Sequence, residues 1–278
     1  SAAQKVTGSW DFGADDALKL PEGTLRLALT QAKVSHANIK GIDTSEAEKM
    51  PGVFKVITYK DILEAGGTNQ INGLVMLPKH NKNDGFDRPV LCRDKIFQFG
   101  DAIAIVAAET EEQARAAAEA VKVDIEELPA YMNAIDAMAP DAIEIHPGTP
   151  NVFFETNCIK GGDFDWDSIP DSQQVEIESY CSRQPHLHLE PDCGYAYIDE
   201  DGMLTIHSKS MPMIAGGIGV PMEKLRMIQN HAGGTFGYKF SPTNEAILGA
   251  AALICKRPVS LVFDMYQNIT YTGKRSPA

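Results

Sequence analysis

Residues 231–240 read His-Ala-Gly-Gly-Thr-Phe-Gly-Tyr-Lys-Phe and are the stretch whose composition points most directly to chemistry. The three glycines lie between an alternating run, residues 224–229, that predicts a strand and an apolar run, residues 244–255, that predicts a helix. Glycine tolerates a positive φ and lets the backbone approach a bound group closely. The first N–H groups of a helix also attract anions and electron-rich oxygens. The stretch therefore predicts either a ligand-binding turn or a tight turn with nothing bound.

A second candidate is the segment His-Leu-His-Leu-Glu, residues 186–190. If the segment is extended, its period of two places His186, His188 and Glu190 on one face. Two imidazoles and a carboxylate are the ligand set of a zinc site or a facial-triad iron site. Prolines bracket the segment, and no distant set of His and Asp follows at the expected spacing. The residues thus allow a cupin-like or hydrolase-like metal enzyme, or polar side chains that line a domain core.

The composition excludes several classes of protein. A chain of 278 residues with 44% hydrophobic content can bury substantial cores, most simply as two domains. Its net charge of −13 argues against binding to nucleic acid or to an anionic membrane. The five cysteines are scattered without a C-x-x-C pair, which favours a reduced, cytoplasmic location and no thiolate metal site in the chain. No apolar run reaches the length of a transmembrane helix.

The first 130 residues predict a compact α+β domain that would support these segments. Thr110 and Gln113 form a capping-box pattern at the head of an alanine-rich helix that ends near Val121. Asp43 and Glu46 resemble the N-cap pair of a short helix. Alternation or continuous apolar character predicts strands at residues 24–30, 53–58, 102–108 and 122–126.

The remainder of the chain predicts a connector and further strands. Pro, Asp and Gly are frequent in residues 134–157, as in a linker. An Asp-Gly pair separates two alternating runs and predicts a β-hairpin. The predicted strands are residues 175–182, 194–199, 203–209 and 258–264.

Several motifs resemble the xanthine oxidase and aldehyde oxidase family of molybdenum hydroxylases. Residues 233–239 resemble the family's Gly-Gly-x-Phe-Gly-x-Lys loop, and residues 184–191 resemble its Gln-x-His-x-x-x-Glu-Pro segment. Short matches at residues 23–26, 35–39, 42–45, 50–53 and 58–62 follow one another as in the family's α/β hammerhead domain. The resemblance implies an α+β fold with a hammerhead domain at residues 1–133, a connector at 134–157 and the start of the first molybdenum-cofactor domain at 158–278.

The resemblance also implies a site. Gly234, Thr235, Phe236 and Gly237 would bind a molybdopterin cytosine dinucleotide cofactor with its molybdenum, and the Gly237 N–H would donate to an oxygen bound to the metal. No residue of the chain would be a metal ligand. Phe240 replaces a Glu that grips the heterocycle in purine-oxidising relatives, so it would line an apolar substrate pocket. This favours the bacterial aldehyde-oxidising branch, which converts aldehydes to carboxylic acids with water.

The resemblance places other parts of the reaction outside this chain. In the family, electrons leave through [2Fe–2S] clusters on preceding domains, and the catalytic base is a Glu of a second molybdenum domain. The full enzyme would be a homodimer, and no catalytic residue is assigned here. Residues 161–174 and 211–213 look shortened, and the second lies where the family carries a longer loop with a Gln that approaches the metal. We therefore expect the isolated chain to be inactive, and a non-catalytic scaffold is the remaining alternative.

Overall fold

The computed structural model describes residues 2–71, 88–152, 160–161, 165–209, 214–237 and 243–275. They form two compact units: the described residues among 1–77, 86–130 and 185–274, and those among 131–184 together with residue 275. The helices are α1 (Ala2–Val6), α2 (Gly13–Leu18), α3 (Tyr59–Glu64), α4 (Glu111–Ala120), α5 (Ala134–Ala137), α6 (Ala215–Ile218), α7 (Asn244–Cys255) and α8 (Met265–Tyr271). The strands are β1 (Leu25–Gln31), β2 (Ala37–Asp43), β3 (Val53–Ile57), β4 (Gln70–Ile71), β5 (Arg88–Pro89), β6 (Lys95–Ile96), β7 (Ala102–Ala108), β8 (Lys122–Glu127), β9 (Gln184–Pro185), β10 (Cys193–Ile198), β11 (Leu204–Ser208), β12 (Leu225–Gln229), β13 (Val259–Val262) and β14 (Lys274–Arg275). No helix among these residues is long and apolar enough to cross a membrane.

A mixed seven-stranded sheet forms the centre of the first unit, in the order β12-β11-β10-β13-β1-β7-β3. The pairs β1–β13 and β11–β12 are parallel, and the other neighbours are antiparallel. Leu25 pairs with Val259, so strands from both halves of the chain share this sheet. A smaller sheet has the order β6-β2-β8. Helices packed on mixed sheets confirm the α+β class, while the division at residues 133 and 157 stays a prediction.

Strand β7 is buried on both faces, as its continuous apolar sequence predicts. Ala104, Val106 and Ala108 pack in a cluster with the alanines of α4. Ile105 and Ala107 belong to the larger cluster that includes α7. Because successive side chains of a strand point to opposite faces, α4 and α7 cover the two faces of the sheet at this strand.

The predicted start of α4 is confirmed. The Oγ1 atom of Thr110 accepts a hydrogen bond from the Gln113 backbone N–H at 3.3 Å. In return, Oε1 of Gln113 accepts one from the Thr110 backbone N–H at 3.1 Å. Two donors that the helix itself leaves without partners are thus satisfied.

The predicted hairpin is also confirmed. Strands β10 and β11 are antiparallel, with Ile198 opposite Leu204. Asp199 closes the turn, because its Oδ1 accepts hydrogen bonds at 3.0 Å from the backbone N–H groups of Asp201 and Met203.

Two local predictions are wrong. Residues 175–182 form no strand, and Val175 and Ile177 are 85% and 82% exposed. Asp43 is the last residue of β2, and its Oδ1 accepts from the Ser45 N–H at 3.0 Å. It therefore closes a turn after the strand, and a 3-10 turn at Ala47–Lys49 takes the place of the predicted helix.

Candidate functional site

The glycine-rich turn follows β12 and has an unusual backbone. Gly234, Phe236 and Gly237 have φ angles of 110°, 45° and 89°. Positive values are open to glycine and cost energy for phenylalanine. Phe236 is 70% exposed, and a Cβ added at Gly237 would meet no atom of the described part of the chain within 4 Å. The turn therefore presents both an aromatic side chain and open backbone to its surroundings.

The turn is held at its first glycine by the second candidate segment. Oε2 of Glu190 accepts a hydrogen bond from the Gly233 backbone N–H at 2.6 Å. A Cβ added at Gly233 would lie 2.6 Å from Cβ of Glu190, so any other residue would collide there. His188 is fully buried, and its Cβ lies 3.8 Å from the position of a Cβ on Gly234. Residues 186–190 and 231–237, which the sequence indicates as two separate candidates, therefore pack against each other and form one site.

The alternative of a His/His/Glu metal centre finds no support in this geometry. The segment is not extended, because Leu187 has a φ of 45°. The His186 Nδ1 lies 3.1 Å from the Gly273 backbone oxygen. Within the part of the chain that the structure describes, no group of three His, Cys, Asp or Glu side chains could hold a metal ion.

A buried polar cluster lies at the start of α7. The Lys209 Nζ donates to Oδ2 of Asp192 at 2.7 Å and to Oγ1 of Thr243 at 3.0 Å. Oε2 of Glu245 accepts from the Thr243 backbone N–H at 3.0 Å. Burial raises the pKa of Glu245, against the opposing effect of the Lys209 charge. The backbone N–H of Thr243, the residue just before α7, thus has a side-chain partner within the chain.

The predicted role of this helix, in which its first N–H groups point at a ligand in the turn, is not tested by the cluster. The turn is described as far as Gly237 and α7 from Asn244, and residues 238–242 lie outside the described part of the chain. The prediction that the first N–H groups of α7 point at a ligand in the turn therefore stays untested. The described residues show that the Thr243 backbone N–H, just before the helix, donates to the Glu245 carboxylate.

The predicted site residues have different outcomes. Gly234, Thr235, Phe236 and Gly237 lie together in the turn, and their role in binding a cofactor stays a prediction. Phe240 lies outside the described residues. The Glu190 contact with Gly233 and the cluster of Asp192, Lys209 and Glu245 were not predicted, since their members come from separate segments without a common spacing.

Two family models match the chain. Residues 15–129 match the model described as aldehyde oxidase and xanthine dehydrogenase, a/b hammerhead domain. Residues 145–278 match the model described as molybdopterin cofactor-binding domain. The chain belongs to the aldehyde oxidase and xanthine dehydrogenase family, and its second part is a molybdopterin cofactor-binding domain.

Individual relatives agree with this assignment. The aldehyde oxidoreductase of Megalodesulfovibrio gigas is 56% identical over 283 aligned residues, which cover 100% of this chain and 31% of that protein. The nicotinate dehydrogenase large molybdopterin subunit of Eubacterium barkeri is 31% identical over 99% of this chain and 62% of its own length. The crystal structure of the aldehyde oxidoreductase from Desulfovibrio desulfuricans has a TM-score of 0.90 and 56% identity, covering 100% of this chain and 31% of that one. The chain thus spans about a third of the length of the aldehyde oxidoreductases that it matches.

Proposed function

We propose that the chain is part of a molybdenum-cofactor oxidoreductase that converts aldehydes to carboxylic acids with water. The observation that carries this proposal is 56% identity, along the whole chain, with a protein named aldehyde oxidoreductase. Identity with the relative named nicotinate dehydrogenase is lower, at 31%. An aldehyde is therefore a better supported substrate class than a nitrogen heterocycle.

The turn fits a cofactor that the backbone must approach closely. Among the described residues, no atom lies within 4 Å of a Cβ added at Gly237, and the positive φ angles at Gly234 and Gly237 turn the backbone in ways that suit glycine. We assign cofactor contact to Gly234, Thr235, Phe236 and Gly237. When bound, the cofactor accepts the two electrons that leave the aldehyde.

The chain itself would contribute positioning and exclusion of water. The backbone N–H of Gly237 would orient a bound polar atom. The exposed ring of Phe236 would shield the reacting atoms from water. Phe240, outside the described residues, would give the substrate pocket an apolar wall.

Four finer elements of the proposal come from the family resemblance. They are the cytosine dinucleotide form of the cofactor, [2Fe–2S] clusters on other parts of the enzyme, a catalytic Glu on a second molybdenum domain, and a homodimeric enzyme. A cytoplasmic location is also proposed, since Cys92, Cys181, Cys193 and Cys255 are free thiols.

The deciding experiment is elemental and nucleotide analysis of the enzyme that contains this chain, purified from cells supplied with molybdenum and iron. We expect about one molybdenum per chain, a cytidine nucleotide after acid hydrolysis, and aldehyde-dependent reduction of a dye acceptor. Stoichiometric zinc or iron without molybdenum would favour the metal-enzyme alternative instead. Absence of all three metals would favour a scaffold.

A further inference from the structure

We propose that Glu190 is a positioning residue that sets the place of the glycine-rich turn. The inference rests on the proposed function for the meaning of the turn, but the contact itself does not. Oε2 of Glu190 accepts the Gly233 N–H at 2.6 Å. A hydrogen bond to a carboxylate is short and stronger than one between neutral groups.

The shape of the site shows why this contact is specific. The Cβ of Glu190 lies 2.6 Å from the position of a Cβ on Gly233, so the carboxylate reaches the amide only because that residue is glycine. The glycine and the glutamate are therefore matched to each other. A longer approach would leave the amide outside hydrogen-bond distance.

The backbone after Gly233 has a strained conformation that requires a restraining contact. Phe236 has a φ of 45°, and strained positions of this kind persist only where the surroundings enforce them. At Gly237, by contrast, no atom of the described residues lies within 4 Å of an added Cβ. In the described part of the turn, the Glu190–Gly233 hydrogen bond thus fixes the first glycine. We infer that it also holds Phe236 and Gly237 in place, where the cofactor would bind.

Glu190 is itself held in place through Asp192, which is fixed to the core. Two residues further on, the Asp192 backbone N–H donates to Oδ1 of Asn268 at 3.0 Å. The Asp192 carboxylate pairs with the buried Lys209 at 2.7 Å. Glu190 therefore projects from a segment fixed to the core, which is what a positioning residue requires.

The test compares Glu190→Ala and Glu190→Gln with Glu200→Gln, a control at an exposed glutamate in the turn between β10 and β11. Hydrogen exchange of the peptide that contains residues 231–237 is measured by mass spectrometry on the full enzyme, with and without its cofactor. We expect exchange at the Gly233 amide to rise about tenfold or more in the alanine variant. The glutamine variant should fall between, because its amide oxygen accepts the same bond without the charge.

Kinetics separate positioning from simple stability. In the alanine variant we expect kcat to fall more than KM rises, together with lower molybdenum content, and glutamine to restore part of both. If Glu190→Ala does not fold, the nearly isosteric Glu190→Gln decides by the same measurements. Unchanged exchange at the turn, or raised exchange with normal kcat and molybdenum, overturns the inference. If the wild-type enzyme contains no molybdenum, the proposed function is refuted instead. The exchange data alone then show whether Glu190 anchors the turn.

Discussion

Lys209 and Asp192 form an ion pair inside the protein, with Nζ 2.7 Å from Oδ2 and side chains only 5% and 2% exposed. A second carboxylate, that of the fully buried Glu245, lies 3.9 Å from the same Nζ. One ammonium group thus faces two carboxylates where water cannot compensate. The stability of this region should depend on that balance of charge.

Removal of the shared cation is the first prediction. Lys209→Met should lower the free energy of unfolding by about 3–5 kcal/mol, because it removes the ammonium group that two buried carboxylates face. The control is Lys33→Met, which breaks the exposed Lys33–Glu119 pair and should cost less than about 1 kcal/mol. Guanidinium unfolding of both variants checks the difference. Equal losses of unfolding free energy in the two variants would show that the buried ion pair stabilises the protein no more than the exposed one.

The second prediction concerns pH. Burial raises the folded-state pKa of Glu245, so its contribution to stability is full below its unfolded pKa and is lost as pH rises through the folded value. Glutamine is neutral at every pH and does not lose this contribution. The stability of Glu245→Gln relative to wild type should therefore increase between about pH 4 and pH 8. Urea unfolding across this range measures the difference, with Glu200→Gln as the exposed control. A difference in the free energy of unfolding between Glu245→Gln and wild type that did not change with pH would disprove the prediction.

The third prediction compares two glycines that share a backbone conformation. Gly237 and Gly202 have φ angles of 89° and 73°, and a Cβ on either meets nothing within 4 Å. Valine at either position should strain the turn by roughly 1–2 kcal/mol. In the full enzyme, only Gly237→Val should also lose molybdenum and aldehyde turnover. Normal turnover in that variant would mean that the turn is purely structural.

The fourth prediction is that the 278-residue chain alone is inactive. A cofactor held between two large domains loses much of its binding energy when one is missing, since the remaining contacts must offset the full cost of immobilising it. The purified chain should contain little molybdenum and should not reduce a dye with aldehyde. Turnover by this chain would refute the expectation, and the full enzyme is the positive control.

The fifth prediction concerns the centre of the sheet. Ile105 in β7 is fully buried, whereas Ile177 is 82% exposed. Ile105→Ala should destabilise the protein by about 2–5 kcal/mol, through lost burial and a cavity on the face of the sheet that α7 covers. Ile177→Ala should change stability by less than about 0.5 kcal/mol. Thermal unfolding of the two variants tests the placement of both residues.

Local sequence patterns predicted those elements that one segment determines by itself. Strand β7 and helix α7 have the predicted ends, residues 102–108 and 244–255, because uninterrupted burial leaves a clear apolar signature. Thr110 and Gln113 lie three positions apart and cap α4 without help from elsewhere. The alternation of Val175 and Ile177 failed as a guide because alternation makes a strand only where a sheet edge is available to pair with it.

The site was predicted only in part, because only some of its contacts are determined by a single segment. The spacing of the glycines identifies the turn in the sequence, and the positive φ angles of Gly234 and Gly237 agree with it. Glu190 was noticed as a metal ligand, but its partner is the amide of Gly233, 43 positions later. A backbone donor has no signature in sequence. Lys209, Asp192 and Glu245 come from three segments, so only the folded chain shows them together.

The parallel pairing of β1 with β13 has a consequence for synthesis on the ribosome. Arg26 and Ser260 are hydrogen-bonded at 2.7 Å although they are 234 positions apart. At about 5–20 residues per second, roughly 12–47 seconds pass between translation of the two strands. During that time β1 has an open edge toward the side that β13 will occupy. We therefore expect nascent chains stalled before residue 259 to bind chaperones and to be cut readily by proteases, and those extended past β13 to escape both.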